Sequence, residues 1–226
     1  MRTLRKTVYA GCCVIAAAVL LYAGKAACDP GIKLSSPPLP ARALEGLGPT
    51  DIASLEAGRI VVLKQDSGEG KGKQSYIRAS LVFNQPIDKV WDLLKHTERQ
   101  EEYLPHLKAS DLITVSTTSN VTEFLLKIMF FNIRYRVDHT FDNKDYRLSW
   151  HLDPGYDNGL KELEGYYNLY AIDGTHTLAR YGSKVDVGSL VPEFVEDYLT
   201  RKDLPKALGN LKAWVDSDGK FRKTGD

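Results

Sequence analysis

The sequence has few cysteines, and this limits how covalent cross-links can stabilise the fold. Its three cysteines are Cys12, Cys13 and Cys28. The first two lie in an apolar N-terminal run, so only Cys28 remains if that run is removed, and no disulfide can then form within the chain. Small exported domains often depend on disulfides. A chain of 226 residues is long enough to bury a sufficient core without them.

The sequence also lacks an excess of positive charge in the part that we expect to fold. Residues 1–26 carry four basic and no acidic side chains. Of the 30 basic and 29 acidic residues in the chain, residues 27–226 therefore hold 26 basic and 29 acidic ones, which gives a net charge near −3. Proteins that bind nucleic acid usually carry a basic surface. We therefore expect no nucleic-acid partner.

Motifs of common catalytic and nucleotide-binding sites are missing as well. No two of the five histidines have the close spacing of a zinc motif. The glycine-rich loop at 66–75 precedes a strand, and Gln74 stands where a phosphate-binding loop requires Ser or Thr. No nucleophile elbow or dinucleotide-binding turn occurs. We therefore predict no metal and no cofactor, and we favour a binding protein over an enzyme.

The first 26 residues have the order of a secretory signal peptide. Three basic residues precede the uncharged apolar run Val8–Gly24, and small residues flank Lys25 before a potential cleavage site after Ala26. A retained membrane anchor is the alternative, because a run of this length is at the short limit for crossing a bilayer. Lipidation at Cys28 is a weaker alternative, since Lys25 fits a lipidation motif poorly. We predict an exported protein, periplasmic or anchored to the outer side of the membrane.

The composition divides the remaining chain into three parts. Residues 27–49 hold five of the ten prolines, which is typical of an extended linker. Residues 50–217 have the hydrophobic periodicity of a folded domain, and residues 218–226 form a polar tail. The oligomeric state is left open.

The first half of the domain changes from strand to helix periodicity. Thr50 is a candidate N-cap for a short helix over residues 51–57. The runs Ile60–Leu63 and Tyr76–Phe83 predict a hairpin. Apolar residues then recur every three or four positions from Ile87, which predicts an amphipathic helix followed by a shorter helix at residues 98–103.

The second half alternates with a period of two and then returns to helix. Strands are predicted at 121–131, 133–141, 146–152 and 175–187, each with one apolar face. Glu162 and Glu164 share the polar face of another strand. This pattern is typical of an antiparallel sheet with one buried face. Helical stripes at 192–199 and from Asp203 to Val215 supply the cover that such a face needs. We therefore predict an α+β fold in which a curved antiparallel sheet wraps around a long C-terminal helix.

Two stretches resemble a known superfamily. Residues 83–94, read as Phe-Asn-Gln-Pro-Ile-Asp-Lys-Val-Trp-Asp-Leu-Leu, continue to Tyr103-Leu-Pro-His106. Together with the closing helix at 201–211, they are similar to the START-like (SRPBCC) superfamily, and within it to the polyketide cyclase/dehydrase and coenzyme-Q-binding group. The resemblance covers roughly residues 58–217. It implies a helix-grip fold with a ligand cavity between helix and sheet. The signal peptide departs from most members of that group and argues against an intracellular role.

Strand parity predicts which side chains line such a cavity. On the last strand the inward residues are mostly small or hydroxylated, which leaves room and supplies a few polar groups, as in many ligand pockets. A solid core filled by Trp150 and Tyr167 is the alternative. His139 also points inward, where it could contact a ligand or simply be hydrogen-bonded in the core. The predicted cavity residues are Trp91, Tyr103, Phe124, Leu126, Ile128, Tyr135, Val137, Trp150, Tyr167, Ala179, Tyr181, Ser183, Phe194, Leu208 and Leu211.

Three functions remain open at this point. The first is a carrier or chaperone for a hydrophobic small molecule or lipid, such as a quinone, a sterol-like or a polyketide-like compound. The second is a cyclase or dehydratase acting on an apolar or aromatic substrate in the same cavity. The third is a tethered interaction module with a filled interior. In each case the N-terminal segment gives a possible membrane contact.

Overall fold

The structure is a computed structural model that describes residues 31–35, 39–67, 74–128, 130–188 and 204–224. The described residues belong to one unit, which begins at Gly31. The predicted leader at 1–26 and the predicted helix at 192–199 lie outside the described residues.

The order of helices and strands follows the predicted change in periodicity. The helices are α1 (Ala41–Leu44), α2 (Pro49–Glu56), α3 (Ile87–Lys95) and α4 (Leu204–Asp216), with a 3₁₀ helix at Thr97–Glu102. The strands are β1 (Val61–Ser67), β2 (Gln74–Phe83), β3 (Leu107–Val115), β4 (Ser119–Ile128), β5 (Phe131–Asp142), β6 (Arg147–Leu152), β7 (Glu162–Ala171) and β8 (Thr177–Asp186).

The eight strands of the described residues form one sheet in the order β1-β2-β8-β7-β6-β5-β4-β3. Every neighbouring pair is antiparallel. Strands β3 to β8 lie side by side in chain order, and the β1–β2 hairpin joins the sheet at β8. The C-terminal helix α4 contacts the sheet. The predicted α+β class and the helix-grip arrangement are confirmed.

One face of the sheet, the inner face, is covered by α3, the 3₁₀ helix and α4. Their apolar side chains meet those of the strands in a core that includes Phe83, Trp91, Phe141 and Trp214. Trp91 packs edge-on against Phe141, with ring centroids 6.2 Å apart. The apolar stripe of α3 therefore points into the core, as its three-to-four-residue spacing predicts.

Trp214 fixes α4 to the rest of the domain. Its side chain is fully buried, and its ring lies 4.9 Å from that of Tyr103. Its indole nitrogen donates a hydrogen bond of 2.8 Å to the carboxylate of Glu102, which also accepts two hydrogen bonds from Arg99. The Arg99 guanidinium lies 4.9 Å from the Trp214 ring centroid. The helix is thus held by packing and by charge-assisted hydrogen bonds at the same residue.

The opposite, outer face is covered at one end by the segment that precedes the sheet. Leu34, Ala43 and Leu55 are fully buried there against Val82 and Leu178. The described part of the predicted proline-rich linker is therefore packed on the domain. The apolar residues of its described part bury surface against the sheet and thereby stabilise its position.

Two boundaries differ from the predictions for local reasons. Helix α2 begins at Pro49 with Gly48 as its N-cap, because the Asp51 carboxylate accepts a 2.9 Å hydrogen bond from the Gly48 amide. Strand β4 ends at Ile128, so Phe130 falls in the turn and is 96% exposed. Thr50 is therefore not the N-cap, and the strand predicted at 121–131 ends before Phe130.

The C-terminal tail is more ordered than a polar tail would suggest. The Phe221 side chain packs against the inner core. The Lys223 ammonium donates a 2.8 Å hydrogen bond to the Leu104 carbonyl, and the Lys223 amide donates one of 2.9 Å to the Glu102 carbonyl. The described part of the tail thus extends along the 3₁₀ helix and protects its C-terminal end.

No helix in the described ranges is both long and apolar enough to cross a bilayer.

We predict that Glu102→Gln destabilises the domain in a pH-dependent way. Burial raises the pKa of Glu102, but the hydrogen bonds from Arg99 and Trp214 outweigh it and hold the pKa below its ordinary 4.5. The charged form therefore stabilises the fold above that pH, and the contribution is lost as the pH falls through the folded pKa. At pH 7 we expect a loss of about 1–3 kcal/mol in the free energy of unfolding, measured with urea.

The difference between wild type and Glu102→Gln should shrink as the pH is lowered from 5 towards 3. Asp111→Asn on β3 is the control, because Asp111 is exposed and its removal should change stability by less than about 0.5 kcal/mol. A pH-independent difference would contradict the role assigned to the Glu102 charge.

Candidate functional site

A cavity of about 250 Å³ lies on the inner face of the sheet. On β8, Ala179 belongs to the core around Trp214, whereas Tyr181 and the next inward residues line the cavity. The core therefore fills one part of the inner face and the cavity occupies the other. The strand residues that line it are Ile77, Phe124, Leu126, Tyr135, Val137, His139, Leu148, Trp150, Leu163, Tyr167, Tyr181, Ser183 and Val185.

Helices and connecting segments supply the remaining wall. The chain from the 3₁₀ helix into β3 lies along one side of the cavity, and the first two turns of α4 lie along another. The residues concerned are Leu94, Gln100, Tyr103, Leu104, Pro105, Leu107, Leu160, Leu204 and Ala207.

A glycine in the middle of β7 sets the shape of the sheet beneath the cavity. Gly165 is opposite Trp150 on β6 and opposite Ser183 on β8. A Cβ atom at Gly165 would lie 2.3 Å from Cζ2 of Trp150 and 2.5 Å from the carbonyl oxygen of Gly182. The Trp150 indole therefore lies directly on the backbone of β7, and only glycine permits this. An isolated glycine within a strand pattern is the signal that could have predicted the close approach.

Aromatic rings form one continuous side of the cavity. The ring centroids of Trp150, Tyr167 and Tyr181 lie 5.1 to 5.9 Å apart in all three pairs. On the far strands, Phe124 lies 5.4 Å from Tyr135. Distances of this kind are typical of favourable aromatic packing. The cavity thus offers flat apolar surfaces on two sides.

Three of the four phenols that line the cavity are held in their protonated form. Burial raises the pKa of Tyr103, Tyr135 and Tyr167 well above the ordinary value of 10. Among the described residues, none forms a hydrogen bond to the hydroxyl of Tyr135. A neutral phenol can donate to a carbonyl or hydroxyl oxygen of a ligand.

His139 is the titratable side chain that lies deepest on β5. It is 3% exposed, and within the described residues its Nδ1 atom has no hydrogen-bond partner. Burial lowers its pKa to about 3, and the charge of His151 adds to the effect. The imidazole is therefore neutral at physiological pH. Its ring packs edge-on against Phe124 at 6.2 Å.

Ser183 is less available than its position suggests. Its hydroxyl donates a 3.1 Å hydrogen bond to the Glu164 carbonyl. Glu164 itself is on the outer face, and Glu162 there forms an ion pair with Lys184. In the described part of the chain, no group of three or more His, Cys, Asp or Glu side chains is placed to hold a metal ion. The polar groups of the cavity are thus neutral hydroxyl, amide and imidazole groups.

The structure brings nine of the predicted cavity residues together around this space. All but one of them lie on strands whose alternation indicated the inward face, and Tyr103 follows the 3₁₀ helix. They are Tyr103, Phe124, Leu126, Tyr135, Val137, Trp150, Tyr167, Tyr181 and Ser183.

Five other predicted residues are buried beside the cavity and do not line it. Trp91 faces the core, where its indole nitrogen donates to Asn143 at 3.0 Å. Ile128 packs with other aliphatic residues at the end of β4. Ala179 and Leu211 belong to the core around Trp214, and Leu208 is buried on α4. Phe194 lies outside the described residues.

The alternation of the sequence did not identify the loop and helix walls. Leu104, Pro105 and Leu107 line the cavity because the chain turns sharply after the 3₁₀ helix, where His106 has a φ of 59°. Ala207 lines it because α4 presents this small side chain between buried leucines. The Tyr-Leu-Pro-His sequence gives a turn signal, but nothing in it indicates what the turn faces.

The fold is shared with several solved structures, although the sequence is distant from all of them. No protein-family profile matches the chain, and no curated protein matches it. A STAR-related lipid transfer protein from Xanthomonas axonopodis superposes with a TM-score of 0.55 at 14% identity, covering 67% of this chain and 98% of its own. The Zhui aromatase/cyclase from Streptomyces sp. R1128 gives 0.54 at 11% identity, with 63% and 94% coverage.

A third solved structure extends the likeness to another group of bacteria. A START superfamily protein from Mycobacterium smegmatis gives a TM-score of 0.52 at 12% identity, covering 63% of this chain and 97% of its own. At such identities the likeness concerns the fold alone. The sheet order, the closing helix and these superpositions show that the chain has the helix-grip fold of START superfamily proteins.

Proposed function

We propose that the protein binds a hydrophobic small molecule in the inner cavity and carries or shelters it. The observation that carries the proposal is a neutral, mostly apolar cavity of about 250 Å³ with aromatic side chains on two sides. The helix-grip fold adds support, since one protein that shares it is described as a lipid transfer protein.

The size of the cavity favours a compact ring system. An apolar cavity of about 150 Å³ is sufficient for benzene, and ligand pockets commonly measure about 300–1,000 Å³. A space of about 250 Å³ therefore suits one or two fused rings. Burial of about 250 Å² of apolar ligand surface contributes roughly 6 kcal/mol before the costs of association.

The hydroxyl groups of the cavity favour a ligand that carries oxygen. Tyr135 can donate a hydrogen bond to a ligand carbonyl, and burial keeps its phenol neutral. A charged ligand would lose its hydration without gaining an ion pair in this part of the chain. Quinone-like or polyketide-like rings therefore fit this chemistry better than fatty acids.

A cyclase or dehydratase function is the second candidate. His139 supports it, because its Nδ1 atom is unpartnered within the described residues and the side chain lines the cavity. One protein of the same fold is described as an aromatase/cyclase. A pKa of about 3 makes His139 a weak base, however, so we place binding before catalysis. A filled interaction module is the least favoured function, because its interior would hold no such cavity.

We also propose that the protein acts outside the cytoplasm. The support comes from residues 1–26, whose basic start, apolar run and small residues have the order of a signal peptide. A ligand of low solubility would gain from a carrier that is released into, or tethered beside, an aqueous compartment bounded by membranes.

The first prediction from the proposed function concerns a substitution on α4 that fills part of the cavity. We expect Ala207→Leu to weaken binding of 2,3-dimethyl-1,4-naphthoquinone at least about tenfold, because the longer side chain occupies the space of the ligand. Binding is measured by quenching of tryptophan fluorescence, since Trp150 lines the cavity. Solvent extracts of the purified protein are analysed in parallel by mass spectrometry.

Ala213→Leu is the matched control. It makes the same change on the same helix, but Ala213 does not line the cavity, so affinity should remain at the wild-type value. Wild-type protein that binds no apolar ring compound and yields empty extracts would refute the proposed function.

The second prediction separates hydrogen bonding from apolar burial. Tyr135→Phe should weaken binding of the naphthoquinone about tenfold and leave binding of 2,3-dimethylnaphthalene unchanged, because the latter has no oxygen to accept a hydrogen bond. Tyr156→Phe, which alters a tyrosine stacked with Arg136 outside the cavity, should change neither. Equal losses for both ligands would contradict the role of the Tyr135 hydroxyl.

The third prediction concerns the N-terminus. We expect the mass of the protein purified from its own cells to correspond to a chain that begins after Ala26, recovered from the exported fraction. A mass increase that corresponds to a lipid on Cys28 would indicate a lipoprotein. An intact N-terminus in the cytosolic fraction would contradict export.

A further inference from the structure

A second groove, separate from the inner cavity, lies on the outer face of the sheet. Its volume is about 370 Å³, and its lining is polar where that of the inner cavity is apolar. It is bounded by strands β2, β8, β7 and β6 and by the chain around α1. The sheet lies between the inner cavity and the outer groove, so a ligand bound in one of them cannot contact a ligand bound in the other.

Strand register places two arginines on either side of Asn168 in this groove. Arg147 on β6 is opposite Asn168 on β7, and Asn168 is opposite Arg180 on β8. Neighbouring strands are about 4.8 Å apart, so an arginine side chain from either side reaches the surface above Asn168. Two residues further along β7, Tyr166 also lines the groove.

Arg180 also shapes the groove by holding the segment that borders it. Its guanidinium donates hydrogen bonds of 2.8 Å to the Ala43 carbonyl and 2.7 Å to the Glu45 carbonyl. These carbonyls orient the guanidinium but do not neutralise it. Arg42, on the same segment, lies 5.9 Å from the Tyr170 ring, and Arg147 lies 6.0 Å from the Tyr166 ring. Two tyrosine faces thus hold exposed guanidinium groups at the groove.

Three arginines of this groove have no ion-pair partner among the described residues. Arg42, Arg147 and Arg180 form no salt bridge with any carboxylate of the described residues, whereas Arg134 and Arg136 elsewhere on the sheet both pair with Glu123. Two carboxylates, Glu45 and Asp145, line the groove beside four arginines that include Arg78. The like charges of Arg42, Arg147 and Arg180 repel one another, and an anion bound between them would offset this repulsion.

We infer that the outer groove binds a phosphate group that belongs to a larger polar molecule. Guanidinium groups match phosphate oxygens with paired hydrogen bonds. A space of about 370 Å³ exceeds what a bare phosphate would fill, and Asn168 and Tyr166 supply neutral groups for the attached polar part. Such a group could come from a soluble organophosphate or from the headgroup of an anionic phospholipid. The inference is independent of the function proposed for the inner cavity.

The test uses the full-length protein and measures binding of glycerol 3-phosphate by calorimetry. We expect saturable binding at one site that weakens as salt is added, because exposed charges are screened. Arg147→Gln and Arg42→Gln should each lower the affinity about tenfold. Lys127→Gln on β4 removes an exposed positive charge far from the groove and should leave the affinity unchanged.

A second arm distinguishes the two sources of the phosphate. Sedimentation is measured with vesicles of phosphatidylcholine alone and with phosphatidic acid added. Binding to the anionic vesicles that Arg147→Gln abolishes would assign the groove to a lipid headgroup. Glycerol 3-phosphate binding without vesicle binding would assign it to a soluble organophosphate.

Two results would overturn the inference. One is absence of binding to both probes by wild-type protein. The other is an equal loss in Lys127→Gln and Arg147→Gln, which would indicate a general charge effect. The melting temperature of each variant is compared with that of the wild type to check that the fold is retained. Ala207→Leu, which fills the inner cavity, should bind glycerol 3-phosphate as wild type does, so failure of one proposal does not decide the other.

Discussion

The rest of the structure depends on the contact between Trp214 and the inner face of the sheet. Trp214 fixes the described helix α4 above one part of this face through its packing on Tyr103 and its hydrogen bond to Glu102. The cavity lies over another part of the same face.

Strands β7 and β8 have a neutral, mostly apolar environment on one face and a charged environment on the other, and neighbouring residues along each strand point into these two environments. Tyr181 and Ser183 point into the neutral cavity, whereas Arg180 points into the charged outer groove. Alternation of side chains along a strand makes this possible without any special backbone geometry. On the inner side, Gly165 lets the Trp150 ring lie against the backbone of β7, where any Cβ atom would clash with that ring.

Much of the fold could be predicted from the sequence, because one buried face imposes alternation on a strand. Phe124, Tyr135 and Tyr181 are examples of residues whose inward position follows from parity. Strand β3 gave no such signal, since it lies at the sheet edge and most of its residues from Asp111 onward are exposed. The segment around Leu34 gave no such signal either. Its apolar residues follow no strand or helix period, and they become buried only by packing on the folded sheet.

The boundary between core and cavity could not be predicted by the same means. Parity shows that Ala179 and Tyr181 face inward, but it does not show how far α4 reaches along β8. Likewise, the apolar stripe of α4 includes Ala207 together with Leu208 and Leu211, but it does not show that Ala207 lines the cavity while the two leucines are buried in the core. Whether an inward residue touches another side chain or an open space depends on the distance between layers. The distance between the helix and the sheet is a property of the assembled fold, and it leaves no periodic pattern in the sequence.

Burial gives the cavity a constant electrostatic character over a wide pH range. The same loss of hydration raises the pKa of the tyrosines and lowers that of His139, since it disfavours every charged form. This has a cost in acid. Below pH 6.5 the imidazole of an unfolded chain takes up a proton that the buried ring cannot accept until about pH 3, so stability decreases as the pH falls through this window.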